Sequence, residues 1–156
     1  MGSTSTRVVA MAARQEAAKE ETPRAEDYLE AVYHLAEERG FATISDISSR
    51  LNVKPPTVSD MVTRLAGKGY LKHERYRGMT LTREGERLAR SVIKRHSVIS
   101  EFLAMLGVDD PIAYEDTEGI EHHVHPATLR RIEKAAEYLQ KNPGALKALR
   151  KYIDSG

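Results

Sequence analysis

Two short β-prone runs, in a chain that otherwise reads as helix, constrain this fold most. Residues 70–76 (Tyr-Leu-Lys-His-Glu-Arg-Tyr) and 79–82 (Met-Thr-Leu-Thr) flank a turn at Arg77-Gly78, the pattern of a β-hairpin. Three helical segments precede it. Thr22-Pro23 predicts an N-cap and a first helical position, with Leu29, Val32, Tyr33 and Ala36 on one face and a stop at Gly40 after Arg39. Ser45 is expected to cap a short second helix carrying Ile47 and Leu51. The turn Asn52-Val53-Lys54 leads to a third helix from Pro55-Pro56, with Val58, Met61, Val62 and Leu65 inward and Gly67 and Gly69 ending it.

After the hairpin a long helix is expected from Thr82 to Leu106, striped by Leu88, Val92, Ile99, Leu103 and Leu106 and ended by Gly107. Asp110-Pro111 opens a fifth helix that must stop before Pro126, because His125 precedes a proline. Pro126 starts a sixth, Asn142-Pro143-Gly144 breaks it, and a short helix closes the chain. The expected division is a disordered or frayed lead-in over 1–21, a DNA-binding domain over 22–90 and a helical dimerisation and metal-binding domain over 91–156. Helix, short helix, tight turn, helix and hairpin is the order of a winged helix-turn-helix. The fold class is therefore mainly α, with a long helix joining that reader to an all-helical second domain.

Charge divides along the same line. The net charge of +1 hides twelve Lys/Arg against four acids over residues 50–95, a local +8 that leaves −7 for the rest. Phosphate neutralisation supplies most non-specific DNA affinity, so the basic middle points to duplex DNA. In the third helix Pro56, Thr57, Ser59, Asp60, Thr63 and Arg64 face outward beside Lys54, small polar residues and one arginine that can enter a major groove. Lys72, Arg75 and Arg77 on the hairpin are placed to grip phosphates or probe the minor groove.

From residue 96 to 129 there are seven acids, four histidines and no Lys or Arg. Glu118, Glu121 and His122 fall at i, i+3 and i+4, so a helix sends them off one face. Asp27 and Glu30 share a face of the first helix, and His96 sits on the apolar stripe between Val92 and Ile99. If those helices pack together, four carboxylates and two imidazoles meet, enough for two neighbouring ions per subunit. With no cysteine in the chain the donors are hard oxygen and imidazole nitrogen, which favours Mn²⁺ or Fe²⁺ in octahedral geometry over a thiolate zinc site. The same absence excludes a disulfide framework and fits a reducing, cytoplasmic setting. No apolar run is long enough for a membrane span, so no membrane partner is expected.

The segments Ala25-Glu26-Asp27-Tyr28-Leu29-Glu30, Pro56-Thr57-Val58-Ser59, Tyr76-Arg77-Gly78 with Leu81-Thr82, Arg95-His96 and Glu118-Gly119-Ile120-Glu121-His122-His123 resemble the diphtheria toxin repressor family, in its manganese transport regulator branch. The resemblance runs over residues 23–139. It implies a metal-loaded homodimer that binds a palindromic operator and represses metal-uptake genes, with Asp27, Glu30, His96, Glu118, Glu121 and His122 as ligands. Iron-responsive members of that family place Met and Cys where this chain has Asp27 and Glu118, and carry a third, SH3-like domain for which this chain has no room. Ser100 departs from the family, whose members commonly have an acid there; His123 and His125 lie outside the inherited set. Three alternatives stay open: an iron-responsive repressor, a metallohydrolase with Glu121 as general base, and a winged-helix regulator indifferent to metal. Ile93, Val98, Ile99, Phe102, Leu103, Met105, Leu106 and Ile112 exceed what one helical tail hides from water, which predicts a two-fold interface.

Overall fold

The computed structural model describes residues 23–156; the expected lead-in over 1–21 and the Thr22 cap lie outside them. Helices α1 (Ala25–Arg39), α2 (Ile44–Leu51) and α3 (Pro55–Gly67) are followed by strands β1 (Leu71–Glu74) and β2 (Gly78–Leu81). Then come α4 (Arg83–Met105), α5 (Asp110–Glu121), α6 (Pro126–Lys141) and α7 (Pro143–Asp154). Two compact units divide within α4, one reaching to Leu88 and the other running Ala89–Gly156.

The first unit has its own core. Tyr28, Leu29, Ala31, Val32 and Leu35 of α1 are buried, with Ile47 of α2, Val58, Val62 and Leu65 of α3, and Leu71 and Met79 of the hairpin. The inward stripe of α1 thus runs through Tyr28 and Leu35, while the expected Tyr33 and Ala36 are half-buried, as is Met61 of α3. Three capping details also differ from expectation. Pro23 precedes α1 instead of opening it: Arg24 is the cap residue, and its N–H is taken by the Asp27 carboxylate at 2.5 Å. Thr43, not Ser45, caps α2, accepting from the Asp46 N–H at 3.1 Å while Asp46 accepts from the Thr43 N–H and hydroxyl. Two orphan donors satisfied reciprocally outweigh a lone serine two residues further on. The predicted Pro55-Pro56 start of α3 and the Gly40 stop of α1 are present.

In the hairpin Leu71 pairs Leu81, Lys72 pairs Thr80, His73 pairs Met79 and Glu74 pairs Gly78, antiparallel. The first β run is shorter than its sequence pattern, because Arg75, Tyr76 and Arg77 form the turn, closed by the Arg77 N–H on the Glu74 carbonyl at 3.2 Å. Ala42, between α1 and α2, exchanges both backbone hydrogen bonds with Met79 at 2.8 Å. Gly78 makes that third pairing possible. Its φ is +131°, and a Cβ there would stand 2.3 Å from the Ala42 carbonyl oxygen. Gly78→Ala is therefore expected to destabilise the protein by about 2 kcal/mol or more, read as a lower unfolding midpoint. Wild-type stability in that variant would show that the bridge to Ala42 is dispensable.

The second unit is helical and thinly cored. Val92, Ile99, Ala113, Ala136 and Leu139 are buried, together with two polar residues, Thr117 and Glu121. Thr117 returns its hydroxyl to the Ala113 carbonyl at 2.6 Å. Ile93, Val98, Phe102, Leu103, Met105 and Leu106 are only half-buried, and Ile112, Tyr114, Ile120 and Tyr138 are exposed. Among the described residues, no helix is long and apolar enough to cross a membrane.

Candidate metal centre and nucleic-acid interface

α4 and α5 bring three ligand types to one place in the second unit. Heptad-like spacing on α4 sets His96 among Val92 and Ile99, and the 3.6-residue period of α5 puts Glu118 and Glu121 on a common face. His96 Nδ1 lies 2.8 Å from Glu121 Oε2 and 3.3 Å from Glu118 Oε1. One potential donor atom from each of the three lies within 4.8 Å of the others. Glu121 is the anchor, its side chain only 2 % exposed. Tyr114 meets the His96 ring edge-on at 6.0 Å.

Burial pushes the Glu121 carboxyl above its ordinary range, and the Glu118 carboxylate pushes it further, against the opposing pull of His96 and His122. Two acids held this close, one out of water, favour a cation between them. The donor set of carboxylate oxygen and imidazole nitrogen fits a hard or borderline divalent ion, so the residues present suit a metal. His122 is not on the helix proper. α5 ends at Glu121, and His122 forms its cap, with Nε2 3.5 Å from Glu121 Oε1.

The other predicted ligands belong to the first unit. Asp27 caps the start of α1, and Glu30 lies 3.6 Å from His34 Nε2 one turn along that helix. Ser100 is half-buried on α4. His123 is exposed, whereas His125 caps α6 by accepting the Ala127 N–H at Nδ1. Sequence reasoning missed Arg95, whose guanidinium donates to the Glu121 carbonyl at 3.1 Å. That bond satisfies one of the orphan carbonyls at the end of α5 and ties the ligand's own peptide to α4. Its signal was adjacency to His96.

In the first unit Lys54, Pro56, Thr57, Ser59, Asp60 and Arg64 are all exposed on or beside α3. The Thr63 hydroxyl turns back to the Ser59 carbonyl at 2.9 Å and leaves the outer face to its neighbours. Arg75 and Arg77 project from the hairpin turn, exposed, with Tyr76 between them.

A winged helix-turn-helix followed by a helical unit holding an acidic His/Glu cluster defines a metal-dependent DNA-binding regulator. Comparison with known proteins agrees. The N-terminal DNA-binding domain of the iron-dependent repressors matches residues 21–79, and their metal-binding and dimerisation domain matches residues 82–149. The chain belongs to the iron-dependent repressor family and is a transcriptional regulator, not an enzyme, which removes the metallohydrolase alternative. It is 42 % identical over 128 residues to the HTH-type transcriptional regulator MntR of Lysinibacillus sphaericus (strain C3-41), covering 82 % of this chain and 92 % of that one. Among solved structures it is similar to the manganese regulator SloR, at 30 % identity and a TM-score of 0.68 over 76 % of this chain. It is also similar to a manganese-dependent transcriptional repressor in complex with manganese, at 27 % identity and a TM-score of 0.64 over 74 % of this chain. The chain spans about half the length of those two structures, 55 % and 53 %.

Proposed function

We propose that the chain is a manganese-responsive repressor of metal-uptake genes, acting as a homodimer on a palindromic operator. Asp27, Glu30, His96, Glu118, Glu121 and His122 are its proposed ligands, for two Mn²⁺ ions per subunit, and residues 22–90 and 91–156 are its DNA-binding and its dimerisation and metal-binding domains. The observation that carries the reading is the convergence of His96, Glu118 and the buried Glu121 on one small volume. Asp27 and Glu30 enter on their sequence motif. The names of the relatives add support for manganese.

A bound divalent ion supplies the positive charge that lets these carboxylates share one place. The residues do the rest. Glu121 fixes the buried end of the cluster, His96 faces both acids through one ring nitrogen, and Arg95 holds the carbonyl end of α5. Ligands contributed by both domains would restrict how far the two recognition helices of the dimer stand apart, and half-site spacing is a geometric requirement for such readers.

Metal switching and DNA gripping then separate by residue. Arg64→Ala and Arg77→Ala are expected to weaken duplex binding with or without metal. Each lowers the slope of log affinity against log salt by about one if it removes a phosphate contact. Unchanged slopes in both variants would move the phosphate contacts elsewhere.

The function is tested by duplex-binding titrations at fixed free Mn²⁺, Fe²⁺, Co²⁺ and Zn²⁺, using a duplex enriched by the protein from a randomised pool. Activation by Mn²⁺ at free concentrations where Fe²⁺ is ineffective supports the assignment. A preference for Fe²⁺ would make this an iron-responsive member, as the family's description reads.

A further inference from the structure

Tyr76 combines two features that no contact among the described residues offsets. It is the most exposed large hydrophobic side chain described, 94 % open to solvent at the tip of the wing. Its backbone is also left-handed, with φ +66°, a region that bulky L-residues rarely occupy and that Asn or Gly would take at lower cost. The ring has no core to join. Among the described residues its one ring contact is the Arg75 guanidinium, 5.6 Å from its centroid, and Arg77 follows it in the chain, also exposed. A strained backbone that presents an aromatic ring against one arginine, with a second exposed arginine next in the chain, on the hairpin that follows a recognition helix, is a contact surface awaiting its partner.

We infer that Tyr76 enters the minor groove of the bound duplex, its ring against the deoxyribose faces and its hydroxyl on a groove-edge acceptor, with Arg75 and Arg77 on the flanking phosphates. The inference deepens the reading of the chain as a DNA-binding repressor and rests on it. The chemistry favours DNA over a protein partner. A minor groove about 6 Å wide admits a flat ring edge-on, and its walls carry the negative charge that the two arginines match. An amphipathic ring with a polar tip suits a site that is apolar along the sugars and wet at the floor.

The test compares wild type, Tyr76→Asn, Tyr76→Phe and Arg77→Ala on the pool-selected duplex with saturating Mn²⁺. Asparagine tolerates the left-handed backbone, so Tyr76→Asn is expected to keep or raise the unfolding midpoint while binding the duplex about ten-fold more weakly. Because tyrosine is uncharged, the salt slope should stay at its wild-type value, unlike that of Arg77→Ala. Tyr76→Phe should retain most of the affinity. The Tyr76→Asn penalty should shrink on a duplex whose adenines are replaced by 2,6-diaminopurine, which adds an amino group to the minor groove alone. Wild-type affinity in Tyr76→Asn, beside a weakened Arg77→Ala, would overturn the inference and leave the repressor reading intact. An undiminished penalty on the diaminopurine duplex would overturn the minor-groove placement. Failure of the wild type itself to bind any duplex would overturn both readings.

Discussion

Glu121→Gln is expected to lower Mn²⁺ affinity by about 100-fold while leaving the metal-free protein at least as stable as wild type at neutral pH. The carboxyl is buried and held above its ordinary range, first by that burial and then by Glu118, with His96 and His122 opposing. A folded-state pKa above the unfolded one means that folding tightens the hold on the proton. The stability this contributes is fully present below the unfolded pKa and is lost as pH rises through the folded pKa. As pH rises, ionising this buried carboxyl therefore costs the metal-free wild type stability that a carboxamide of the same shape keeps. Thermal unfolding in chelator from pH 4 to 8 should show wild type losing ground to Glu121→Gln as pH rises.

Added Mn²⁺ should reverse the order. At a free concentration 100 times the wild-type Kd, the ion stabilises wild type by about 2.7 kcal/mol, and a variant of 100-fold weaker affinity by about 0.4 kcal/mol. An equal Mn²⁺-induced rise in midpoint for both proteins would remove Glu121 from the ligand set.

The second large effect concerns which ion is sensed. Raw affinity at oxygen and nitrogen sites rises toward Cu²⁺, so manganese selectivity has to come from ligand type and geometry. Asp27→Met with Glu118→Cys replaces two hard oxygens by sulfur. Glu118 is half-exposed beside His96, so its exchange leaves the core around Glu121 in place. The double variant should lose its response to Mn²⁺ by about ten-fold or more and gain one to Fe²⁺ or Co²⁺. Duplex affinity across the metal series for wild type, both single variants and the double variant measures this. An unchanged ranking in the double variant would mean that these two positions do not set selectivity, and manganese would be withdrawn with the repressor assignment kept.

Much of this was written in periodicity and punctuation. The hairpin near Gly78, the proline-led α3 and the break at Asn142-Pro143 are local signals, and each element is present, although the turn falls at residues 75–77 and Gly78 opens β2. The i, i+3 spacing of Glu118 and Glu121 and the stripe position of His96 carried the cluster as well. What the sequence withheld lies partly in reciprocal local geometry and partly in contacts between segments distant along the chain. Thr43 wins the α2 cap over Ser45 through Asp46, a reciprocal arrangement that a single-residue rule overlooks. The exchange between Ala42 and Met79, which explains why residue 78 is glycine, joins residues 37 positions apart and has no periodic signature. Arg95 entered only as the neighbour of His96 in a shared motif, and its role shows where its guanidinium meets the end of α5. Tyr76 read as strand because tyrosine favours strands, yet it stands in the turn with a left-handed backbone.

The central claim is that metal and DNA are coupled ligands of one protein, and linkage gives it a direct measurement. Mn²⁺ affinity is measured with and without saturating duplex, and duplex affinity with and without saturating Mn²⁺. Thermodynamics requires the two ratios to agree, and the account predicts that both exceed one, in the range of about 5 to 150-fold. Two ratios of one, with Mn²⁺ bound and duplex bound but neither noticing the other, would contradict it.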